Sequence, residues 1–316
     1  MQTNKAQIIT VVTISVIISL LLNYLFFYSG SEKKERNSTY QNLNKASNQV
    51  NAVALPDSID FSGERVPLEL YYVKEHLEWE LNVNSYLHAT TILTLKRTKR
   101  WFPVIEPILK KHGIPDDFKF LSLIESSFKN VTSPAGAVGF WQFLKGTARD
   151  YGLEVNSEVD ERYHVEKSTE AACQYIKKAY KKYQNWTMVA AAYNAGNRGV
   201  DRQVERQKEN NYYNLLLNEE TERYVFRILA LKLIVNNPAD YGFNLSPDEY
   251  YQPIPFHTEE VKGSVKSWAD YAQKRGLTYR LIKEFNPWLR QPNLKNRHKK
   301  NYQIKIPEVQ PLNNAN

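Results

Sequence analysis

The side chain in this sequence that is best placed for acid–base chemistry is Glu125. Pro115 and Asp116 indicate the start of a helix, with Asp116 placed to cap its first turn. The apolar residues that follow recur at helical spacing: Phe118, Leu121, Ile124 and Phe128. Glu125 comes four residues after Leu121 and three before Phe128, so its carboxyl group lies beside this apolar face. Because burial against apolar side chains disfavours a charge, we expect a raised pKa and a carboxyl group that carries a proton near neutral pH.

A glycine-containing loop follows this helix. It contains Pro134, Gly136 and Gly139 and closes with Phe140, Trp141 and Gln142. Glycine would allow the backbone here to pass close to a ligand. A Glu on the polar edge of a core helix, followed by an ordinary turn, would give the same local pattern. These residues alone leave both interpretations open.

The elements that must position Glu125 are predicted to be helical. Apolar residues recur at helical spacing from Pro67 to His112. Further helices are predicted at 117–128, 145–151, 168–184, 187–195, 198–207 and 219–236. The last of them ends before Pro238, which cannot continue a helix. No stretch of strict alternation interrupts this region, so we expect an all-α domain with the 67–112 helices packed on its outside in a structural role.

Beyond Asp248 the pattern changes to that of a small α+β unit. A strand is predicted at 257–262, two short helices follow it, and an alternating strand at 302–306 closes the unit. Residues 262–305 contain 12 Lys and Arg against two acidic residues, a net charge of +10, whereas the whole chain carries +8. The basic charge therefore belongs to the C-terminal unit and not to the helical region.

An uncharged apolar run covers residues 8–28, and its 21 residues match the ~20 needed to span a bilayer. No Ala-x-Ala pattern follows it, which favours an uncleaved anchor at 1–28 over a removed signal peptide. Residues 29–62 are rich in Asn, Ser and charge and predict a flexible linker. Three Lys and Arg residues follow the run closely and only Lys5 precedes it, a distribution that by itself would keep most of the chain in the cytoplasm.

The composition excludes several classes of site. The 316 residues have room for one medium domain and a smaller one. The single cysteine, Cys173, excludes an internal disulfide and a Cys-rich metal site. The six histidines include no His-Glu-x-x-His stretch, and no phosphate-binding glycine loop is present, so we expect no metal and no cofactor. The 21 tyrosines suit a surface that handles carbohydrate, although ordinary cores use tyrosine as readily.

Four motifs follow one another along the helical region. They are I-E-S-S-F at 124–128, S-P-A-G-A-V-G-F-W-Q at 133–142, A-A-Y-N-A-G at 191–196 and E-T-E-R-Y-V at 220–225. In this order and spacing they resemble the catalytic domain of the lytic murein transglycosylases, most closely the membrane-bound type D group. The resemblance covers roughly residues 100–240. It implies a mainly α, goose-type-lysozyme-like transglycosylase domain at 63–245, with an N-terminal helical extension.

By position in these motifs, the resemblance implies roles for seven side chains. Glu125 would be the catalytic residue, and Ser126 would support it. The side chains that would bind substrate are Ser133, Gln142, Tyr193, Asn194 and Tyr224. From the residues alone, Tyr193 and Tyr224 also fit core tyrosines with a bonded hydroxyl, and Ser126 fits a serine on a helix surface.

The resemblance implies an enzyme that cleaves the β-1,4 bond between N-acetylmuramic acid and N-acetylglucosamine with one carboxyl group and no water. The acid would protonate the bridging oxygen and then accept the proton of the C6 hydroxyl, which leaves a 1,6-anhydro end. The other acids in the four motifs, Glu220 and Glu222, flank a helix start, where acids favour the helix dipole and need no catalytic role. Two alternatives stay open, a lysozyme-like hydrolase and an inactive wall-binding scaffold.

The C-terminal order of strand, helix, helix and strand resembles a LysM glycan-binding module, here at 248–312. Residues 285–288, Phe-Asn-Pro-Trp, match the end of its second helix, whereas residues 263–265 read Gly-Ser-Val where Gly-Asp-Thr is usual. An unrelated small cap domain is the alternative. We expect this module to hold the chain on glycan or anionic wall polymer through its basic stretch and three aromatic residues, Trp268, Tyr279 and Trp288.

The resemblance also sets the expected location and partners. Murein lies outside the cytoplasm, so we expect a single N-terminal helix to anchor the chain and the catalytic domain to face the periplasm or cell envelope, against the charge count. The expected partners are the membrane, peptidoglycan glycan strands and proteins of wall synthesis or remodelling. No nucleic-acid recognition motif accompanies the basic stretch, so no nucleic acid is expected.

Overall fold

The computed structural model describes residues 52–308 together with Leu21 and Tyr24. Apart from those two positions, the predicted anchor at 1–28 and the predicted linker up to residue 51 lie outside the described residues. Within the described part of the chain, no helix is long and apolar enough to cross a membrane. The described residues are mainly helical, as predicted, and end in a small unit with two strands.

The helical region is built from α-helices joined by short turns. Their bounds are α1 Tyr71–Tyr86, α2 His88–Lys111, α3 Phe118–Ser126, α4 Lys145–Asp150, α5 Val165–Tyr183, α6 Trp186–Ala195, α7 Asn197–Gln207 and α8 Glu219–Asn236. Short 3-10 helices occupy Glu161–Tyr163, Tyr212–Asn214 and Pro238–Tyr241. The six helices predicted between 117 and 236 are confirmed, each end lying within three residues of its predicted position.

Helix α8 packs against several of the other helices. It contacts α1, α3 and α6, and its buried residues lie on several of its faces, as expected for a helix inside a domain. Helix α1 adds a polar link, because Glu80, which is 2% exposed, accepts a hydrogen bond from Nε of Arg223 at 2.6 Å. The expected place of the 67–112 helices on the outside of the domain is therefore wrong, because α1 contributes directly to the core.

Helix α3 carries Glu125 and begins at Phe118. The predicted cap is wrong: the residue at the cap position is Asp117, and the Asp116 carboxylate forms an ion pair with the Lys119 side chain. The predicted apolar face is confirmed. Its members are all buried: Phe118, Leu121, Ile124 and Phe128.

The end of the predicted linker is folded. Strands β1 (Asp60–Phe61) and β2 (Glu64–Arg65) form a short antiparallel hairpin. Phe61 is fully buried, and its ring lies 5.4 Å from that of Phe118. Ile59 is buried as well. A flexible segment therefore cannot extend to residue 62; two-residue strands are too short to give a periodic pattern that a sequence would reveal.

The C-terminal unit confirms the predicted order of strand, helix, helix and strand. Its elements are β3 (Phe256–Val261), α9 (Trp268–Gln273), α10 (Tyr279–Phe285) and β4 (Tyr302–Pro307). Strands β3 and β4 pair antiparallel along their whole length.

The aromatic residues of this unit correct one expectation. Trp268 is fully buried and Trp288 is 3% exposed, so neither indole ring can lie against a glycan. A unit of this size has little apolar surface to bury, and large side chains are needed to fill its core. Of the three aromatic residues proposed to contact the wall, only Tyr279, which is 40% exposed, is available.

Candidate active site

Glu125 lies in the last turn of α3 and meets helix α8. Its side chain is partly exposed, whereas its neighbour Ile124 is buried. The hydroxyl of Tyr224, on α8, donates a short hydrogen bond to Oε1 of Glu125. Tyr224 is only 2% exposed, so packing of its ring fixes the position of the hydroxyl at the carboxyl group.

Burial determines the charge of Glu125. Desolvation raises the pKa of its carboxyl group to about 7, against the opposite effects of the hydrogen bond from Tyr224 and the charge of Arg227; the charge of Glu220 adds to the increase. The raised pKa predicted from the apolar face is thus confirmed. Burial also raises the pKa of Tyr193 and of Tyr224 well above the ordinary value, so both hydroxyls stay protonated and can donate hydrogen bonds.

The backbone directly after the acid is strained. Helix α3 ends at Ser126, earlier than predicted, because Ser127 and Phe128 adopt left-handed conformations with φ of 48° and 53°. This region is unfavourable for a bulky side chain, at a cost of about 1–3 kcal/mol. The conformation persists because the Phe128 ring is buried, 5.4 Å from the ring of Phe140. The strain lies beside Glu125, where the helix must stop and the chain must turn into the loop.

The loop of residues 131–143 is tied to α3 by hydroxyl groups. Ser126 and Ser122 both donate hydrogen bonds to the carbonyl of Phe140, at 3.1 and 3.2 Å. Ser126 is 5% exposed, which excludes the alternative of a serine on a helix surface. Its contact is with the loop backbone, so any support it gives to Glu125 passes through the position of the loop.

Tyr193, on α6, holds the same loop from another side. Its hydroxyl donates a hydrogen bond to the carbonyl of Trp141 at 2.7 Å, and its ring lies 6.3 Å from that of Phe143. The charge of Glu125 contributes to the raised pKa of Tyr193, so the two side chains are electrostatic neighbours. Tyr193 therefore connects the loop with the surroundings of the acid.

Two predicted substrate contacts, Gln142 and Ser133, use part of their side chains within the loop. Gln142 has a left-handed φ of 46°, and its Nε2 donates to the carbonyl of Gly139 at 2.7 Å. The amide oxygen is therefore the end of Gln142 that a ligand could reach. The Ser133 hydroxyl accepts a hydrogen bond from the N–H of Ala137 at 3.0 Å, which closes the turn at the tip of the loop.

Asn194, near the end of α6, binds the start of α8 through both polar atoms of its side-chain amide. Its Oδ1 accepts a hydrogen bond from the hydroxyl of Thr221 at 2.8 Å, and its Nδ2 donates to Glu220 at 3.2 Å. Glu220 in turn raises the pKa of Glu125. Among the described residues, Asn194 is thus linked to the acid through Glu220 and not by a direct hydrogen bond.

The predicted glycine role is wrong at Gly139. Its φ is 80°, and a Cβ added there would come within 2.1 Å of the carbonyl oxygen of Arg162. The absent side chain makes room for the protein's own backbone and not for a ligand. Gly136, with a φ of 79°, has no atom within 4 Å of such a Cβ, so its glycine serves the turn itself.

Arg227 is the residue of this site that sequence reasoning missed. Its charge lowers the pKa of Glu125, and its Nη2 donates to the carbonyl of Ile124 at 3.4 Å. It follows Tyr224 by three residues on α8, a spacing that puts both side chains on one face of the helix. That spacing could have identified it.

The arrangement can donate one proton and take it back. Glu125 is the only side chain of the predicted site with a pKa near neutrality, and two permanently protonated tyrosines lie around it. Within the part of the chain that the structure describes, no group of three or more His, Cys, Asp or Glu side chains is arranged to hold a metal ion.

Two protein families match this chain. The Transglycosylase SLT domain family matches residues 103–216, a range that contains Glu125 and ends before Tyr224. The soluble lytic transglycosylase C-terminal LysM-like domain matches residues 257–310, which include β4 and all of β3 except its first residue, Phe256.

Three proteins similar to this chain align with it over different shares of their length. Membrane-bound lytic murein transglycosylase D of Escherichia coli (strain K12) is 31% identical over 221 residues, 68% of this chain and 47% of that protein. The chain thus spans about half the length of this relative. A putative tributyltin chloride resistance protein of Alteromonas sp. (strain M-1) is 27% identical over 125 residues, 39% of this chain and 60% of that protein. A solved structure of an inactive mutant of lytic transglycosylase Slt from Pseudomonas aeruginosa aligns with a TM-score of 0.36 and 17% identity over 58% of this chain and 36% of that one.

The raised pKa of Glu125 predicts a pH-dependent gain of stability in Glu125→Gln. The folded protein keeps the proton up to a pKa of about 7, whereas the unfolded chain releases it near 4.5, so the wild-type protein loses stability as the pH rises between these values. Glutamine keeps the shape and the acceptor for Tyr224 but carries no charge. By urea denaturation, Glu125→Gln should be more stable than wild type by about 3 kcal/mol at pH 8 and equal to it at pH 4.

The matched control is Glu205→Gln, which removes an exposed carboxylate on α7. Its difference from wild type should be the same at both pH values. A difference for Glu125→Gln that does not change with pH would contradict the burial of an ionisable group at this site.

Proposed function

From the match of residues 103–216 to the Transglycosylase SLT domain family, we propose that the protein is a lytic transglycosylase that cleaves peptidoglycan glycan strands. The observation that carries the proposal is the state of Glu125, a single carboxyl group with a pKa of about 7 that is held by the hydroxyl of Tyr224. The goose-type-lysozyme-like fold and the LysM-like module at 248–312 are part of the same proposal. The helical domain at 63–245 would then begin slightly earlier, with the β1–β2 hairpin.

The proposed reaction uses Glu125 twice. The protonated carboxyl group donates its proton to the oxygen that bridges N-acetylmuramic acid and N-acetylglucosamine, and the bond from C1 to that oxygen breaks. The C6 hydroxyl of the same muramic acid residue bonds to C1, and its proton returns to the Glu125 carboxylate. Proton and bond counts balance without water, and the product ends in 1,6-anhydro-N-acetylmuramic acid. A pKa near neutrality suits both steps, because the group must give up and recover a proton with similar ease.

The other predicted side chains would bind and orient the sugar. The Tyr224 hydroxyl stabilises the carboxylate form after the first step, since it donates to Glu125. Gln142 would meet the substrate through its amide oxygen, and Tyr193 would line the cleft as the residue that fixes the loop. Asn194 and Ser133 would bind the sugar at the edges of the site. Asn194 is held there by its hydrogen bonds to α8, and Ser133 by its hydrogen bond at the tip of the loop.

Hydrolysis is the second candidate, and Glu220 is the observation that keeps it open. A glycoside hydrolase uses a second carboxylate as base or nucleophile. Glu220 lies close enough to raise the pKa of Glu125. Its hydrogen bond from Asn194 and its place at the helix start favour a structural role instead. An inactive scaffold would have no need for an acid kept protonated by burial.

Glu125→Gln tests the proposed chemistry. The amide keeps the shape of the side chain but can neither donate nor recover a proton, so cleavage of purified sacculi should fall by about 10²–10⁴-fold or more. Glu220→Gln is the matched control and should retain most of the activity. Mass analysis of the wild-type products should give anhydro ends that resist borohydride reduction.

Two outcomes would contradict this account of the reaction. Reducible ends, together with a large loss in Glu220→Gln, would favour the hydrolase. Undiminished cleavage by Glu125→Gln would remove this residue from the mechanism.

The C-terminal module is proposed to bind anionic wall polymer or glycan through its basic loop, residues 295–300. The sequence of this loop is Lys-Asn-Arg-His-Lys-Lys, and all of its cationic side chains are exposed. Arg297→Gln with Lys299→Gln should weaken co-sedimentation with sacculi at low salt, and the difference should shrink as salt screens the charges. Lys274→Gln with Arg280→Gln, which removes two exposed charges at the end of α9 and on α10, is the control. Equal effects of the two pairs would exclude a specific role for the loop.

The chain is further proposed to be anchored by residues 8–28, with the catalytic domain in the periplasm or cell envelope. The uncharged apolar run and the substrate support this placement, while the charges around the run oppose it. A reporter that is active only in the cytoplasm, fused after Asn316, should be inactive in living cells. An active reporter would contradict the placement.

A further inference from the structure

Residues 154–166, called the connector below, complete the apolar core of the C-terminal module. Val159, in the middle of the connector, is 1% exposed and belongs to the same buried cluster as residues of the module: Trp268, Ile282, Leu289, Ile304 and Ile306. A β-bridge pairs Val159 with Leu289. The module thus buries a side chain that the helical domain supplies.

Backbone hydrogen bonds fix the connector to the module on both sides of Val159. The N–H of Asp160 donates to the carbonyl of Trp288 at 2.9 Å, and the N–H of Arg290 donates to the carbonyl of Glu158 at 2.8 Å. These bonds depend on backbone positions and tolerate little sliding between the two parts.

Ion pairs hold the two ends of the connector. Lys300 lies 3.0 Å from Glu154, and Lys305 pairs with Glu166. The Tyr302 hydroxyl donates to Glu154 at 3.1 Å. All three module residues lie on or next to β4, so the connector is fastened along its whole length.

On its other side the connector reaches the 131–143 loop through Arg162. Nη1 of Arg162 donates to the carbonyls of Gly136 and Phe143, at 3.0 and 3.1 Å. The carbonyl of Arg162 occupies the space beside Gly139 that a side chain would fill. One residue therefore contacts both arms of the loop that carries Gln142.

Asp160 links the module to Arg162. Its carboxylate accepts hydrogen bonds from Nε and Nη2 of Arg162, at 2.9 and 2.8 Å, and the two residues are 7% and 8% exposed. A buried ion pair with such geometry is costly to break, because either partner alone would be left charged and desolvated. Since the N–H of Asp160 is bound to Trp288 of the module, the same residue is held by the module and holds Arg162.

We propose that the C-terminal module is a structural part of the cleavage site, and that Arg162 is a positioning residue that transmits its docking to the 131–143 loop. The inference rests on the proposed function and goes beyond a module that only binds the wall. The loop in turn reaches the acid, because its Phe140 carbonyl is bound by Ser126 of α3 and its Trp141 carbonyl by Tyr193. A shift of about 1 Å in such a loop can lower a rate about 100-fold.

The test compares full-length variants on two substrates, intact sacculi and short soluble glycan strands. Val159→Ala removes part of the apolar contact between the connector and the core of the module. Val265→Ala is the matched control, because Val265 packs on the same cluster from a loop of the module itself. Arg162→Lys keeps the charge but loses the forked contacts with the loop and Asp160. The double variant Val159→Ala with Arg162→Lys completes a double-mutant cycle, which measures the coupling between the two residues.

Val159→Ala should lower kcat about 3- to 10-fold, and Arg162→Lys about 10-fold or more, by the same factor on both substrates. The double variant should be no slower than Arg162→Lys alone, since both changes act through one path, and Val265→Ala should match wild type. A loss confined to sacculi, an equal loss in Val265→Ala, or losses that multiply in the double variant would overturn the inference.

Amide hydrogen exchange of residues 131–143 gives a readout that does not need activity. Exchange should be faster in Val159→Ala and in Arg162→Lys than in wild type, and unchanged in Val265→Ala. If the wild-type protein cleaved no glycan, the proposed function would fail, and the exchange data would still decide whether the module holds the loop. Unchanged exchange in Val159→Ala would mean that it does not.

Discussion

A carboxyl group kept among apolar side chains is the feature on which the rest of this structure depends. Removing a charge from water is costly, so burial alone would hold Glu125 in its neutral form. The Tyr224 hydroxyl and the Arg227 charge offset part of that effect, and the pKa settles at about 7. With less burial the group would be a permanent carboxylate with no proton to give. With no offset it would be an acid that could not readily give its proton up.

The second constraint is that the 131–143 loop has to be held in place without regular secondary structure. Backbone carbonyls in a loop need hydrogen-bond donors. Some carbonyls of this loop accept N–H groups of the loop itself, and others accept hydrogen bonds from side chains of several elements. The donors are Ser122 and Ser126 on α3, Tyr193 on α6 and Arg162 on the connector. The position of the loop therefore depends on the relative positions of all these elements. It also depends on the C-terminal module, because the module contacts the connector.

Local patterns in the sequence were sufficient for the helices, for the apolar face beside Glu125 and for the two strands of the module. What they could not give are contacts between residues distant in the chain. The burial of Trp268 and Trp288, the Arg162 carbonyl beside Gly139 and the place of Val159 in the module core all depend on tertiary packing. The left-handed turn at Ser127 and Phe128 was also missed, because neither residue type favours that conformation.

Titration of Glu125 itself is the most direct measurement of this balance. The carboxyl carbon of Glu125 can be followed by NMR in protein labelled in its glutamate side chains and assigned by the loss of its signal in Glu125→Gln. The midpoint should lie near pH 7, and it should rise in Tyr224→Phe, which removes the donor that stabilises the carboxylate. A midpoint close to the ordinary glutamate value of 4.5, unchanged in Tyr224→Phe, would contradict the central claim that burial keeps this group protonated near neutral pH.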